Sequence, residues 1–302
     1  MKCRLCLNEK ELRKSHIIPA FVIRWLKDTS ATGFLRSGTS PDQRIQDGLK
    51  SRLLCAECEL LFSQWEKPFS EKIFTPYVTK ELDINGKAQS IHTSFEYSSW
   101  LLKFIISVQW RLLIYETETT TLEINPKLKT IAFDHINLWR KFLLSETSST
   151  GRNETHLIFL QSFVSGNGTL PKELNENINF YLLRIIDGTT VYSEKNLGVY
   201  SKFGPIAAFT MLEPSSIPTS RMKNTKIHMK GTVSSIQEIA DPFITDFIFI
   251  TRPNEIFDST ILSQRQTDKI SETILKNIPR TLASQSFRIK NQERLMKYFK
   301  RK

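Results

Sequence analysis

Apolar residues fall at helical spacing in the first part of the chain and in short β-rich runs further on. After Ser15-His-Ile-Ile-Pro19, the positions Phe21, Val22, Trp25 and Leu26 share one face, and this predicts a helix over 19–27 that opens on a proline. Residues 28–48 are rich in Ser, Thr, Gly and Asp and read as a loop. Leu60, Leu61, Trp65 and Phe69 then mark a second helix that Pro68 ends or kinks. Asp83-Ile-Asn-Gly reads as a turn. The segment 99–115 is apolar on nearly every side except Lys103, Gln109 and Arg111, as expected of a core helix, and an amphipathic helix follows at 131–145.

Beyond Gly151 the texture changes. Runs at 156–163, 180–187, 190–192, 206–211, 226–233 and 243–251 are separated by Gly, Asn, Pro and Ser clusters and predict strands. Helical spacing returns at 266–276 and from 281 onward. The expected architecture is α+β: a small zinc module over residues 1–80, followed by a larger helical and antiparallel-sheet domain over 81–302 that ends in a basic helix.

The zinc enters through the cysteines. Cys3-Arg-Leu-Cys6 and Cys55-Ala-Glu-Cys58 account for all four cysteines of the chain. Two C-x-x-C pairs supply the four-sulfur tetrahedral set of a structural Zn²⁺ site. No stretch approaches the roughly 18 apolar residues of a membrane span, and the N-terminus lacks the pattern of an export signal, so a cytoplasmic, membrane-free protein with reduced thiols is expected.

Charge adds a direction. Residues 1–80 hold 14 basic and 9 acidic side chains, residues 280–302 hold 8 and 1, and the middle is close to neutral. Positive charge at both ends favours a polyanionic partner such as nucleic acid. Arg13, Lys14, Lys50 and Arg52 flank the cysteines and His16 and are candidates for phosphate contacts, with a scattered solvated surface as the alternative. The tail from Phe287, with Leu295, Met296 and Phe299 on its apolar side, reads either as a docking helix or as a contact for nucleic acid or an acidic protein partner.

A C-x-x-C pair, then His16-Ile-Ile-Pro19, then Leu53-Leu-Cys-x-x-Cys58 opening a helix resembles the zinc-bearing HNH, or ββα-metal, endonucleases over residues 3–66. The resemblance implies a treble-clef-like fold and a nuclease acting on DNA or RNA, often in bacterial defence. It also implies His16 as the general base, a catalytic Mg²⁺ or Mn²⁺, and a metal-facing residue after the fourth cysteine, here Glu59. The chain departs from the pattern at Ser15, where an acid is common, at Lys50, where an asparagine is common, and at Glu59, where a histidine or asparagine is common. Two readings of the residues stay open at each site. His16 is either a base or a structural imidazole, with Ser15 helping to cap the following helix; Glu59 is either a metal ligand or an acid favoured by the helix dipole. At the level of the whole protein, the alternative to a nuclease is a non-catalytic zinc module that binds nucleic acid or protein. His92, His135, His156 and His228 have no partner spacing that suggests a role.

Overall fold

The fold was analysed in a computed structural model, which describes residues 1–38, 40–80, 94–119, 126–162 and 172–300. The Asp83-Ile-Asn-Gly turn, His92, and the side chains of Leu295, Met296 and Phe299 lie outside the described residues.

The N-terminal part begins with β1 (Leu12–His16), α1 (Ala20–Asp28), β2 (Leu35–Ser37), β3 (Ser40–Ile45) and β4 (Lys50–Cys55). Next comes α2 (Ala56–Phe69), which runs through a π-helical turn (Ser70–Phe74) into α3 (Thr75–Lys80). Strands β1 and β4 pair antiparallel. The segment expected as loop, 28–48, instead folds its second half into the β2–β3 hairpin, with Leu35 opposite Ile45. Pro68 does not end its helix, and the break in α-helical bonding falls just after it, in the π turn.

After β5 (Ser94–Tyr97) comes α4 (Ser99–Thr119), the central helix, which packs against α2, α5 (Pro126–Leu143) and the main sheet. That sheet is built from β6 (Glu154–Phe159), β7 (Ile186–Tyr192), β8 (Leu197–Phe203) and β9 (Ile206–Glu213) in the order β6-β9-β8-β7, every pair antiparallel. Strand β8 was not anticipated because Ser201 and Lys202 interrupt its apolar run, yet both side chains are buried.

Two expected strands are helices. The run 180–187 supplies most of α6 (Ile178–Arg184) before β7 begins, and burial on all sides of this short helix erases the periodicity that would mark it. The run 243–251 lies within a helical stretch formed by α7 (Pro242–Asp246), a second π turn (Phe247–Thr251) and α8 (Arg252–Ser259). Here the signal was present in Asp241-Pro242. The Asp241 carboxylate accepts from the Ile244 N–H at 3.2 Å, and proline occupies the first turn, so capping overrides the β preference of Phe-Ile-Phe-Ile. Short strands β10 (Met222–Lys223), β11 (Gly231–Ser234) and β12 (Glu238–Ile239) flank the sheet. The chain continues into α9 (Gln264–Lys276), α10 (Ile278–Ala283) and α11 (Gln285–Lys300).

The observed class is a mixture of helices and antiparallel sheet. One hydrophobic cluster runs from Cys3 to Ile289 and includes Phe69 of α2, Phe104 of α4 and Phe203 of β8. The rings of Phe69 and Phe104 stack at 4.0 Å, and Phe203 meets both within 5.6 Å. Aromatic contact of this kind fixes α2, and with it the β1–β4 hairpin, against the rest of the molecule.

Candidate metal centre and the histidine beside it

The register of β1 with β4 sets the site. Leu12 lies opposite Cys55 and His16 opposite Lys50, so sulfur stands at one end of the hairpin and the imidazole at the other, about 13 Å away along an extended strand. A bulge places Arg52 and Leu53 of β4 opposite the single residue Lys14. It leaves the Leu53 carbonyl free to accept from the Arg4 N–H at 2.9 Å, which ties the first cysteine knuckle to β4. The knuckle closes through Leu7 in the left-handed region (φ 62°) and a 3.0 Å bond from its N–H to the Cys3 carbonyl.

All four sulfurs lie within 4.8 Å of one another, and those of Cys6 and Cys55 are 3.9 Å apart. Four sulfurs at about 2.3 Å from a central Zn²⁺ would be about 3.8 Å apart, so the spacing and the soft donors both fit zinc. Cys58 sits in the first turn of α2, where unpaired N–H groups favour a thiolate. Burial pushes the Cys3 thiol up, but N–H groups of Cys55, Cys6 and Leu5 outweigh it and bring it down to about 7. Burial pushes Cys55 and Cys58 the other way. A divalent cation is what would let all four sulfurs ionise together in so small a space.

At the far end of the hairpin, the His16 ring reaches Asp47, with Nε2 2.7 Å from Oδ1. Its partner is thus a carboxylate. Asp47 also holds the Lys50 ammonium at 2.5 Å through Oδ2 and accepts from the Gly48 N–H at 2.9 Å. Burial works against the ionised Asp47, but these donors win and hold its carboxyl well below the usual carboxylate range. An ionised carboxylate can only accept, so in the neutral ring Nε2 carries the proton and Nδ1 is left as the acceptor. Nδ1 makes no hydrogen bond to the described residues, and the side chain is 21% exposed.

The backbone of His16 is pinned from behind. Arg111 of α4, 2% exposed at its side chain, donates from Nη1 to the His16 carbonyl at 2.7 Å and from Nη2 to Glu66 at 2.9 Å. Glu59 and Glu66 are seven residues apart, so they share one flank of α2. The Arg111 bridge brings the Glu66 end of that flank beside the end of β1. Glu59 Oε1 is buried without a hydrogen-bond partner, and so is the Ser15 hydroxyl, which caps nothing: α1 has Pro19 at its N-cap and no side-chain cap.

Arg13, Lys14 and Arg52 are exposed on the hairpin, and Arg52 donates to the Leu12 carbonyl at 3.2 Å. Lys50 is held by Asp47. Arg111 as a support of His16 was not foreseen, although a lone arginine in an otherwise apolar helix signals a buried charge in need of a partner. Compared with protein families, curated proteins and solved structures, the chain has no match.

Proposed function

We propose that this protein is an HNH-like, metal-dependent nuclease that cleaves DNA or RNA. The observation that carries the reading is an oriented His16, held at Nε2 by Asp47 and at its backbone by Arg111, with Nδ1 free to take a proton from water. An imidazole is the side chain suited by its chemistry to general-base work near neutral pH. In this reading Cys3, Cys6, Cys55 and Cys58 hold a structural Zn²⁺ that fixes the hairpin and the start of α2. Glu59 offers a buried, unpartnered oxygen at the position where the family resemblance expects a metal-facing residue, and a hard Mg²⁺ or Mn²⁺ takes few protein oxygens and completes its shell with water. That ion, when bound, would neutralise charge developing on the phosphate. Arg13, Lys14 and Arg52 would contact the nucleic-acid backbone, and Lys50 would lend charge while holding Asp47. Residues 1–80 form the catalytic module, and residues 81–302 recognise a substrate, protein partner or trigger, as suits a cytoplasmic bacterial defence protein.

A second reading has its own support. The Lys50 ammonium occupies Asp47 and would repel a nearby cation, which favours a non-catalytic zinc module that binds nucleic acid or protein. Incubation with plasmid DNA and with RNA, in Mg²⁺ and in Mn²⁺, separates the two. The nuclease reading expects cleavage that His16→Ala reduces by about 10²–10⁴-fold. Cleavage indifferent to His16→Ala removes the base from the mechanism, and inactivity on every substrate favours the binding module.

A further inference from the structure

A groove of about 760 Å³ opens on the side of α1 turned away from His16, between α1, the first π turn with α3, and the C-terminal helices α10 and α11. Its volume is in the range of small-molecule sites. One wall is apolar, made by Phe21, Trp25, Phe74 and Val78, and the rim carries Arg24, Arg280 and Arg288. Asp28 is the acid among the described lining residues, and it forms no ion pair with any of these arginines. Two residues of the wall, Ser70 and Phe74, come from the π turn, a departure from α-helical bonding found often at functional sites.

The charges here are handled unlike those elsewhere in the molecule. Arg111 is paired with Glu66, and Arg252 grips Asp187 through two 2.8 Å bonds. Around the groove no carboxylate among the described residues answers. Arg280 donates only to the carbonyls of Ser30 and Lys27, Arg288 only to that of Ala283, and Arg24 has no partner among the described residues. Behind the wall lies Arg184, 2% exposed, stacked 4.8 Å from the Trp25 ring. It donates to the hydroxyl of Thr29, to the side-chain carbonyl of Gln285 at 3.1 Å and to the Leu26 carbonyl at 2.8 Å, and its Nε is buried without a partner. Thr29 and Gln285 themselves line the groove. A buried guanidinium supported by neutral acceptors alone among the described residues, with three more at the surface, makes a cationic site that suits an anion.

We propose that this groove binds a nucleoside 5′-phosphate, with Arg24, Arg280 and Arg288 on the phosphate and the aromatic wall against the base. Guanidinium forks match phosphate oxygens, and planar bases lie well on aromatic and arginine surfaces. The groove is far too large for an inorganic anion alone. Nucleotide chemistry could arrive free or as the 5′ end of a strand. Binding does not rest on the nuclease reading, because His16 lies across α1 from the groove.

Titration calorimetry on the full chain tests this with ATP, AMP, and one oligonucleotide carrying either a 5′-phosphate or a 5′-hydroxyl. Saturable binding is expected, weakened about tenfold or more by R24Q/R288Q and unchanged in R265Q and in His16→Ala. The exposed single variant R24E should weaken binding with no change in melting temperature, which guards against misfolding of the double variant. ATP or AMP binding alone would identify a free nucleotide, and a preference for the 5′-phosphorylated oligonucleotide a strand end. The proposal fails if no probe binds in the millimolar range, if R24E and R24Q/R288Q bind like wild type, or if only the oligonucleotides bind and the 5′-phosphate makes no difference.

Discussion

The β1–β4 hairpin and the main sheet each set a histidine beside a carboxylate, and the two sites differ in their access to water. His16 lies 2.7 Å from Asp47 with its side chain 21% exposed, whereas His156 on β6 lies 3.8 Å from Glu154 with its side chain 2% exposed. The Thr225 hydroxyl donates to the Met222 carbonyl at 3.0 Å, so it can only accept from His156 Nδ1 at 2.9 Å, and the bare Nε2 is buried without a hydrogen-bond partner. Glu154 is occupied by Lys226. A neighbouring acid therefore does not make a base. What distinguishes His16 is a side chain 21% exposed, with no partner for Nδ1 among the described residues, held on a backbone that Arg111 keeps in place.

The two regions also differ in what holds them. The sheet is closed by buried apolar strands, while at the hairpin four sulfurs meet from both ends of a long insertion. Removing the metal should break this contrast most strongly, since structural zinc supplies on the order of 10 kcal/mol of folding free energy in small modules. Purified protein should carry one zinc per chain by metal analysis. Chelation, or Cys58→Ser, should strip hydrogen-exchange protection from β1 and β4 while β8 and β9 keep theirs. Equal protection in both regions with no zinc bound would show that packing alone supports the hairpin.

The next effect is catalytic. Asp47→Asn preserves size but lets an amide N–H face Nε2, which selects the tautomer with the proton on Nδ1 and removes the acceptor. A fall in kcat of about 10²–10⁴-fold is expected, with zinc content and melting temperature held. Unchanged turnover would mean that the carboxylate does not set the ring. The same substitution at Glu154 should leave turnover as it is.

This contrast also marks how far the sequence could be read. The two C-x-x-C pairs announced their cluster because zinc chemistry imposes a short, recognisable spacing, and the apolar stripes of α1, α2, α4 and α5 announced their helices. The His16 site is assembled from residues 31 and 95 positions away, Asp47 and Arg111, and no local spacing encodes such a meeting. Among the secondary elements the two expected strands that are helices share one cause. The runs at 180–187 and 243–251 carry β-branched and aromatic residues because they are buried, and burial was mistaken for strand preference. The Asp-Pro cap at 241–242 held the correction for the second run.

The smallest of these effects tests the sheet. Burial lowers the His156 imidazole to about 4, against attraction from Glu154 and Asp241 and with help from Lys226. In the unfolded chain the ring takes up its proton near pH 6.5, so between about 6.5 and 4 the unfolded state binds more protons than the folded one. Stability is therefore fully present above pH 6.5 and falls as the pH drops toward 4, by an amount on the order of 3 kcal/mol for this one group. His156→Gln keeps a donor for Thr225 but has nothing to protonate. Urea unfolding of the variant across this range should show a flatter pH dependence than the wild type, and an identical slope would assign the acid sensitivity elsewhere.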